Sequence, residues 1–425
     1  MNSVRIFLLI FISLYTVGSY SQISTNSPYS RFGIGDLNIN TFAEQNSLGG
    51  NSVVYYNENI INPNNAATYS KIRRKSFLLS TGLNSEYNNF FTDEVSQREY
   101  NSSFSHITLA FPLSKRLYFS SGLLPYSSVG YNIEYDSLYE NFEDTISISS
   151  SGNGGLSKYY MGSSIRINNI ISIGANASYY FGALSNSEML DFNNLEIFNV
   201  NSVNRINIKG FSLETSLLIT APISENQKFS LGLTYQGSSN LFAKNTLVGT
   251  TFKNNSSSTI SIKDTFENAI YDGKLNMPSK LSMGLMYESK QWLFVVNYFS
   301  QEWSDYSIVF QEKQEDFLEN SNSISAGIQY VPNRKSVNRY WETINYRFGG
   351  SYSKDYLEIN NYQLNERSVT VGLGLPLYKS NTFYNFSLQF GDRGTTEDNL
   401  IKEQFLRYTL GVTFKGNWFI KRKYD

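Results

Sequence analysis

The chain has 425 residues, with 35 basic and 36 acidic side chains, no cysteine and one histidine, His106. A balanced charge argues against a nucleic-acid partner, because no basic excess is available to neutralise phosphates. Without cysteine there is no disulfide, thiol nucleophile or thiolate metal site, and one histidine leaves no histidine-built metal centre, so no metal or cofactor is expected. Aromatic residues make up 16 % and charged residues only 17 %, against about a quarter charged in soluble domains. Such a mixture, rich in Tyr, Phe, Ser, Asn and Gly, suits strands with polar loops rather than helices.

Residues 1–21 read as a secretory signal peptide. Arg5 is the one charge before the apolar run from Ile6 to Val17, and small residues follow at Gly18, Ser19 and Ser21. The run is shorter than the ~20 residues a transmembrane helix needs. Residues 22–75 lack a strand pattern and hold Gly33, Gly35, Gly49, Gly50 and Pro63, turn formers that suggest an irregular segment. Because it precedes the first strand, this segment is expected at the periplasmic side or inside a lumen, where irregular backbone is tolerated at membrane depth.

From residue 76 onward, period-two alternation dominates. Ile171, Ile173, Ala175, Ala177, Tyr179 and Phe181 alternate with Ser172, Gly174, Asn176 and Ser178, and the pattern recurs around 229–235, 281–287, 369–375, 384–390 and 408–414. Fourteen strands are predicted, at 76–87, 101–112, 115–126, 155–167, 170–183, 203–219, 226–240, 278–289, 291–304, 321–332, 341–354, 366–376, 381–392 and 404–416. Connections after odd strands hold 13, 28, 19, 37, 16, 11 and 11 residues, and those after even strands 2, 2, 6, 1, 8 and 4. All long loops at one end, an even strand count and alternating faces describe an all-β, antiparallel transmembrane barrel of the outer membrane over 76–425. Trp292, Trp303, Trp341 and Trp418 fall near predicted strand ends, where an aromatic belt would meet headgroups.

Candidate chemistry is sparse. His106 shares a face of its strand with Thr108, the pairing a hydrolase would need, but no oxyanion donor accompanies it; a structural lumen histidine is the better reading, and no enzyme is expected. Gly152-Asn153-Gly154-Gly155 lacks the following Lys-Ser/Thr of a phosphate loop and reads as a loop or a strand kink. Asp305, Glu312, Glu315 and Asp316 do not have the spacing of a calcium loop. The basic groups Arg73-Arg74-Lys75 and Lys421-Arg422-Lys423 flank the barrel near the periplasmic rim, where they could meet membrane lipids or a protein partner.

Three stretches carry a resemblance: Ser47-Leu48-Gly49-Gly50 with Ile61-Asn62-Pro63-Asn64-Asn65-Ala66-Ala67; Gly154-Gly155-Leu156 through Gly162 to Phe181-Gly182; and Gly372-Leu373-Gly374-Leu375-Pro376 with Gly391-Asp392-Arg393-Gly394-Thr395 and the C-terminal Trp418 to Asp425. Together they resemble the FadL-like outer-membrane proteins of Bacteroidota, from whose pattern Asn64-Asn65 departs. The resemblance implies a fourteen-stranded barrel blocked by an N-terminal hatch (22–75), passing hydrophobic compounds such as fatty acids inward and sideways through a gap in the wall. It places Gly49, Gly50, Asn62 and Pro63 in the hatch. Arg347, inward by parity, is expected to pair with a hatch carboxylate, Asp36 or Glu44, or with a ligand. The alternative is an accessory barrel subunit of an outer-membrane secretion or assembly machine, with the loops 127–154 and 241–277 docking protein partners.

Overall fold

The computed structural model describes residues 25–38, 42–50, 53–93, 95–138, 145–192, 197–254, 260–310, 318–377, 380 and 382–417. The expected signal peptide and Lys421 to Lys423 lie outside these. A two-residue strand β1 (Asp36–Leu37) and a one-turn helix α1 (Ala43–Asn46) come first. The sheet then runs through β2 (Ser76–Phe91), β3 (Ser96–Pro112), β4 (Leu117–Leu138), β5 (Thr145–Arg166), β6 (Ile171–Asp191), β7 (Asn199–Ser224), β8 (Gln227–Gln236) and β9 (Ser239–Asn254). It continues with β10 (Ile260–Met277), β11 (Lys280–Glu288), β12 (Trp292–Gln301), β13 (Ser307–Val309), β14 (Ser321–Tyr330), β15 (Asn345–Ile359), β16 (Tyr362–Pro376), β17 (Thr382–Arg393) and β18 (Lys402–Asn417).

These strands form a closed, antiparallel, fourteen-stranded barrel, as the alternation predicts. The wall consists of β2 to β8, β11, β12 and β14 to β18. It closes where β18 pairs with β2 from Lys402↔Phe91 to Asn417↔Ser76. Closure leaves no open seam there for lipid to meet unpaired amides. The lower half of β7 pairs with β8 and its upper half with β9, so β8 and β9 are one wall strand interrupted near Gly237.

Along the lower wall the barrel is inside-out. Ile173, Leu213, Leu285 and Val371 point outward and are exposed, whereas Ser172, Ser230 and Thr370 point inward and are buried. This is the burial pattern of a wall solvated by hydrocarbon outside and polar groups inside. Towards the long-loop end the pattern inverts. Tyr180, Leu184 and Ile208 point inward and join a buried cluster with Leu241, Leu275, Trp303 and Tyr356, into which the N-terminal segment inserts Tyr29 and Ile34. Above the apolar belt the outer face meets water, and the apolar residues move to the inner face.

That inversion corrects two expectations. The stretches 127–154 and 241–277 are not simple loops: β4 and β5 pair as far as Leu138↔Thr145, and β9 and β10 form a hairpin along the same wall. They remain strands because their inward apolar side chains have a core to fill. Trp303 is fully buried and stacked on Tyr356 with ring centroids 4.4 Å apart, not in a lipid belt. Trp292 and Trp341 are exposed; Trp341 lies in the 3-10 turn Tyr340–Thr343 before β15, and Trp418 falls outside the described residues.

The upper core generates a prediction. Leu184→Ala should destabilise the folded barrel by about 2–5 kcal/mol, the range for emptying a packed apolar site. Urea unfolding in vesicles measures it; a change below about 0.5 kcal/mol would mean that the upper lumen is not a packed core.

Candidate functional site

The described residues between 25 and 72 lie within the lumen, bonded to wall strands from β4 to β18. Helix α1 ends at Gly49 and Gly50, both in the left-handed region at φ +88° and +86°. Their amides return to Asn46 O at 3.1 Å and Gln45 O at 3.0 Å, a cap that L side chains resist. The Gly49 amide also reaches Thr370 Oγ1 at 3.1 Å. Leu48 is seated against wall glycines: a Cβ on Gly327 would stand 2.5 Å from Leu48 O, closer than atoms pack, so glycine is what lets the two backbones meet.

Asn62 is buried and donates from Nδ2 to Tyr55 O at 2.9 Å, while the Pro63 carbonyl accepts from Asn176 Nδ2 of β6 at 2.8 Å. The two asparagines that depart from the family pattern have structural work of their own. Asn65 caps the 3-10 helix Ala66–Lys71, accepting from Ala67 N at 3.0 Å and donating to Val53 O at 2.9 Å. Asn64 donates to Gln45 Oε1 at 3.2 Å.

Arg347 is buried in the lumen, but its partners are not the expected carboxylates. Its guanidinium donates to Gln329 Oε1 at 2.8 Å, to Asn385 Oδ1 at 2.9 Å and to the hatch hydroxyl of Tyr55 at 3.3 Å. Asp36 is instead claimed higher up by Arg393, at 2.9 Å. Glu44 is buried with Oε1 unpaired. Burial pushes its carboxyl above the ordinary carboxylate value, and the Arg347 charge offsets part of that rise.

His106 lies beside Ser80 (Nε2 to Oγ 3.0 Å) and Ser105 (Nδ1 to Oγ 2.8 Å), and its ring stacks on hatch Phe42 at 3.9 Å. Thr108 Oγ1 is buried without a hydrogen-bond partner. The histidine therefore braces the hatch against the wall. Gly154 and Gly155 sit in β5 at φ +117° and +148°, a strand irregularity. Asp305 ends the 3-10 turn Trp303–Asp305, and Glu312, Glu315 and Asp316 lie outside the described residues. Among the described residues no group of His, Asp and Glu could hold a metal ion.

Two features were not read from the sequence. The first is a parting of the wall. Strands β3 and β4 pair only from Ile107↔Leu123 to Pro112↔Tyr118, although both run well past that point. They separate next to Pro125, which has no amide to give, and to a register shift between Pro125 and Ser127. The hatch repairs the β4 edge: Asp36 and Leu37 of β1 pair with Ser128 and Ser127, Asn38 N donates to Tyr126 O at 2.8 Å, and Gly130 N donates to Ser30 Oγ at 3.1 Å. Behind the parting is a small cavity of about 50 Å³ lined by Leu37, Phe42, Leu124, Tyr126 and Phe299 with Lys158 and Lys280. Lys280 pairs with Glu214 at 2.6 Å, whereas Lys158 has no ion-pair partner among the described residues.

The second is an ionic layer around a larger cavity of about 200 Å³. Arg393 of β17 faces Asp36, Asp355 and Glu403, and Ser27 donates to Glu403. One level further in, Arg407 pairs with Glu86 at 2.8 Å and Glu366 at 3.0 Å. The hatch is thus latched at two places on the wall, to β4 by backbone pairing and, three to four strands round through β2 and β3, to β18 and β17 by charge. Arg393 stood in the glycine-bounded motif 391–395, where its inward parity was the available signal.

A lumen filled by a hydrogen-bonded hatch, inside a fourteen-stranded wall that parts on one side, defines the fold of FadL-type channels, and solved structures agree. The toluene transporter TodX of Pseudomonas putida is 16 % identical, with a TM-score of 0.57 over 91 % of this chain and 100 % of that one. The Ralstonia pickettii toluene transporter TbuX is 14 % identical, with a TM-score of 0.57 over 89 % and 99 %. A Pseudomonas aeruginosa FadL homologue is 11 % identical, with a TM-score of 0.52 over 83 % and 93 %. At such identities the likeness concerns the fold. By sequence the chain belongs to the BamG family, whose model matches residues 3–425. No curated protein matches it.

Two outcomes follow from the hatch geometry. Glu44 has its proton affinity raised by folding, so its contribution to stability is complete below the unfolded carboxylate pKa and is lost as pH rises through the folded value. Glu44→Gln should therefore protect the hatch at pH 8 but not at pH 4, read as protease resistance of residues 25–75; equal protection at both values would remove the argument. Arg347→Glu places a carboxylate against the acceptors Gln329 and Asn385 and beside Glu44. It should loosen the hatch and raise single-channel conductance in planar bilayers, and an unchanged conductance would contradict it.

Proposed function

We propose that the protein is an outer-membrane barrel through which hydrophobic small molecules, fatty-acid-like in having an anionic head, leave the lumen sideways where β3 and β4 part. The parting carries this reading. Its inner mouth pairs apolar walls at Leu124, Tyr126 and Phe299 with the unmatched cation Lys158, a combination suited to an apolar body and a carboxylate. At about 50 Å³ the cavity is far below the 300 Å³ or so of a ligand site. Passage therefore needs β1 to leave the β4 edge, and the hatch is the gate. TodX and TbuX, toluene transporters of the same fold, support the hydrophobic cargo class.

A second reading, an accessory barrel subunit of an outer-membrane secretion or assembly machine, is favoured by a different observation. The lumen is filled from end to end, the larger cavity is ionic rather than apolar, and the family is BamG, distinct by name from the channels whose fold it shares. On this reading the extensions of β4 to β7 and the β9–β10 hairpin are the surfaces that meet partners.

Uptake of labelled myristate and of toluene into proteoliposomes tests the first reading. Lys158→Gln should weaken myristate uptake about tenfold, the worth of one charged hydrogen bond, and leave toluene unaffected. If neither compound enters above protein-free vesicles, and native mass spectrometry of the gently extracted protein finds stoichiometric protein partners, the subunit reading replaces it.

A further inference from the structure

The two rims of the barrel differ in charge. Where the hatch leaves the lumen, Arg73, Arg74 and Lys75 are all exposed at the short-turn rim. The adjoining turn between β3 and β4 exposes Lys115 and Arg116. Round the ring follow Lys228 at the start of β8 and Lys290 before β12. The connection 331–344, the longest at this end, adds exposed Arg334, Lys335 and Arg339. Among the described residues four carboxylates share the rim: Glu58, Glu225, Glu288 and Glu342. Two of them are already committed, Glu288 to Arg334 at 2.9 Å and Glu342 to Arg339 at 3.3 Å. At the opposite rim the signs mix, with Glu134, Asp136 and Asp264 exposed alongside Arg98, Lys244 and Lys263.

The excess is felt within the protein. Lys71, on the last turn of the hatch 3-10 helix, is pushed down to about 8, first by burial and then by the charges of Arg166 and Lys228. Aromatic groups of the headgroup zone lie at the same level: Trp292 is exposed with its ring 4.4 Å from that of Tyr330, and Tyr340 and Trp341 are exposed on the long turn.

We propose that this rim binds anionic phospholipids of the leaflet it faces, holding their phosphodiester headgroups in a ring around the base of the barrel. Charge complementarity selects the ligand, and distribution selects lipid over protein. The cations are spread round the circumference, at the entry to β2, the β3–β4 turn, the start of β8, the β11–β12 turn and the connection 331–344, with the β5–β6 turn left neutral, directly below the outward apolar belt. A docked protein would need them gathered on one face. The proposal rests on the membrane-barrel reading and is independent of the cargo.

The test uses the full chain in neutral detergent, offered phosphatidylglycerol or phosphatidylcholine and read by native mass spectrometry. The wild type should retain phosphatidylglycerol preferentially, and salt at about 0.5 M, where the screening length falls to a few ångströms, should erase the preference. Arg73→Gln, Arg74→Gln and Lys75→Gln together, and Lys115→Gln with Arg116→Gln, should each lower retention about fivefold per cation removed. Heat-dependent gel migration confirms that each variant is folded; should one fail, the wild-type lipid comparison decides alone. Equal retention of the two lipids overturns the proposal. So does displacement of phosphatidylglycerol by inorganic phosphate, which would mark a free-phosphate site. Co-purification of an acidic protein whose removal restores no lipid preference would assign the rim to a protein instead.

Discussion

Hydrocarbon supplies no hydrogen-bond partners, and most of this architecture follows from that constraint. The wall must close, so β18 returns to β2 along its whole length. Where hydrocarbon lies outside, the outward parity must be apolar and the inward parity is polar, so the lower lumen is lined by Ser, Thr, Asn and Gln. A polar lumen then accepts an irregular segment that a hydrophobic core would reject, because the wall offers side chains for its backbone and polar groups to bond. Asn176, Asn297, Thr370 and Thr409 each receive or give one such bond.

The constraint is relaxed in one place, and the departure is informative. Beyond Ile107 and Leu123 the wall does not pair with itself, and a hatch strand of two residues stands in for the missing neighbour. Asp36 belongs to that strand and also to the ion cluster of Arg393 on β17. Moving β1 therefore breaks both a ladder on β4 and a charge pair on β17, so the covered edge of β4 and the ion cluster depend on the same two hatch residues.

Much of this was legible before any coordinates. Strand number, antiparallel order and the end carrying the short turns followed from alternation and connection lengths, because a period of two is a direct imprint of the two solvents. The height of the strands was not read, although the sequence held the signal: on β6 the apolar parity passes from Phe181 to Leu184, and on β7 from Leu213 back to Ile208. That change of phase marks where hydrocarbon gives way to water outside. The partners of Arg347 and Asp36 were beyond reach, since parity says that a charge faces inward but not at what height or toward which strand. The parting of β3 and β4 depends on the absence of pairs, which a single strand's pattern does not encode.

The hatch also bears on how the molecule is made. It is synthesised before the wall strands, and in the finished structure it touches β4, β6, β7 and, through α1, β16, β17 and β18. The final act of closure joins β18 to β2, and a segment bonded to both early and late strands must already be inside when that happens. Fourteen strands and their stagger set the bore, so the hatch is a filling cut to a fixed gauge, its bulk matched to a width it does not choose.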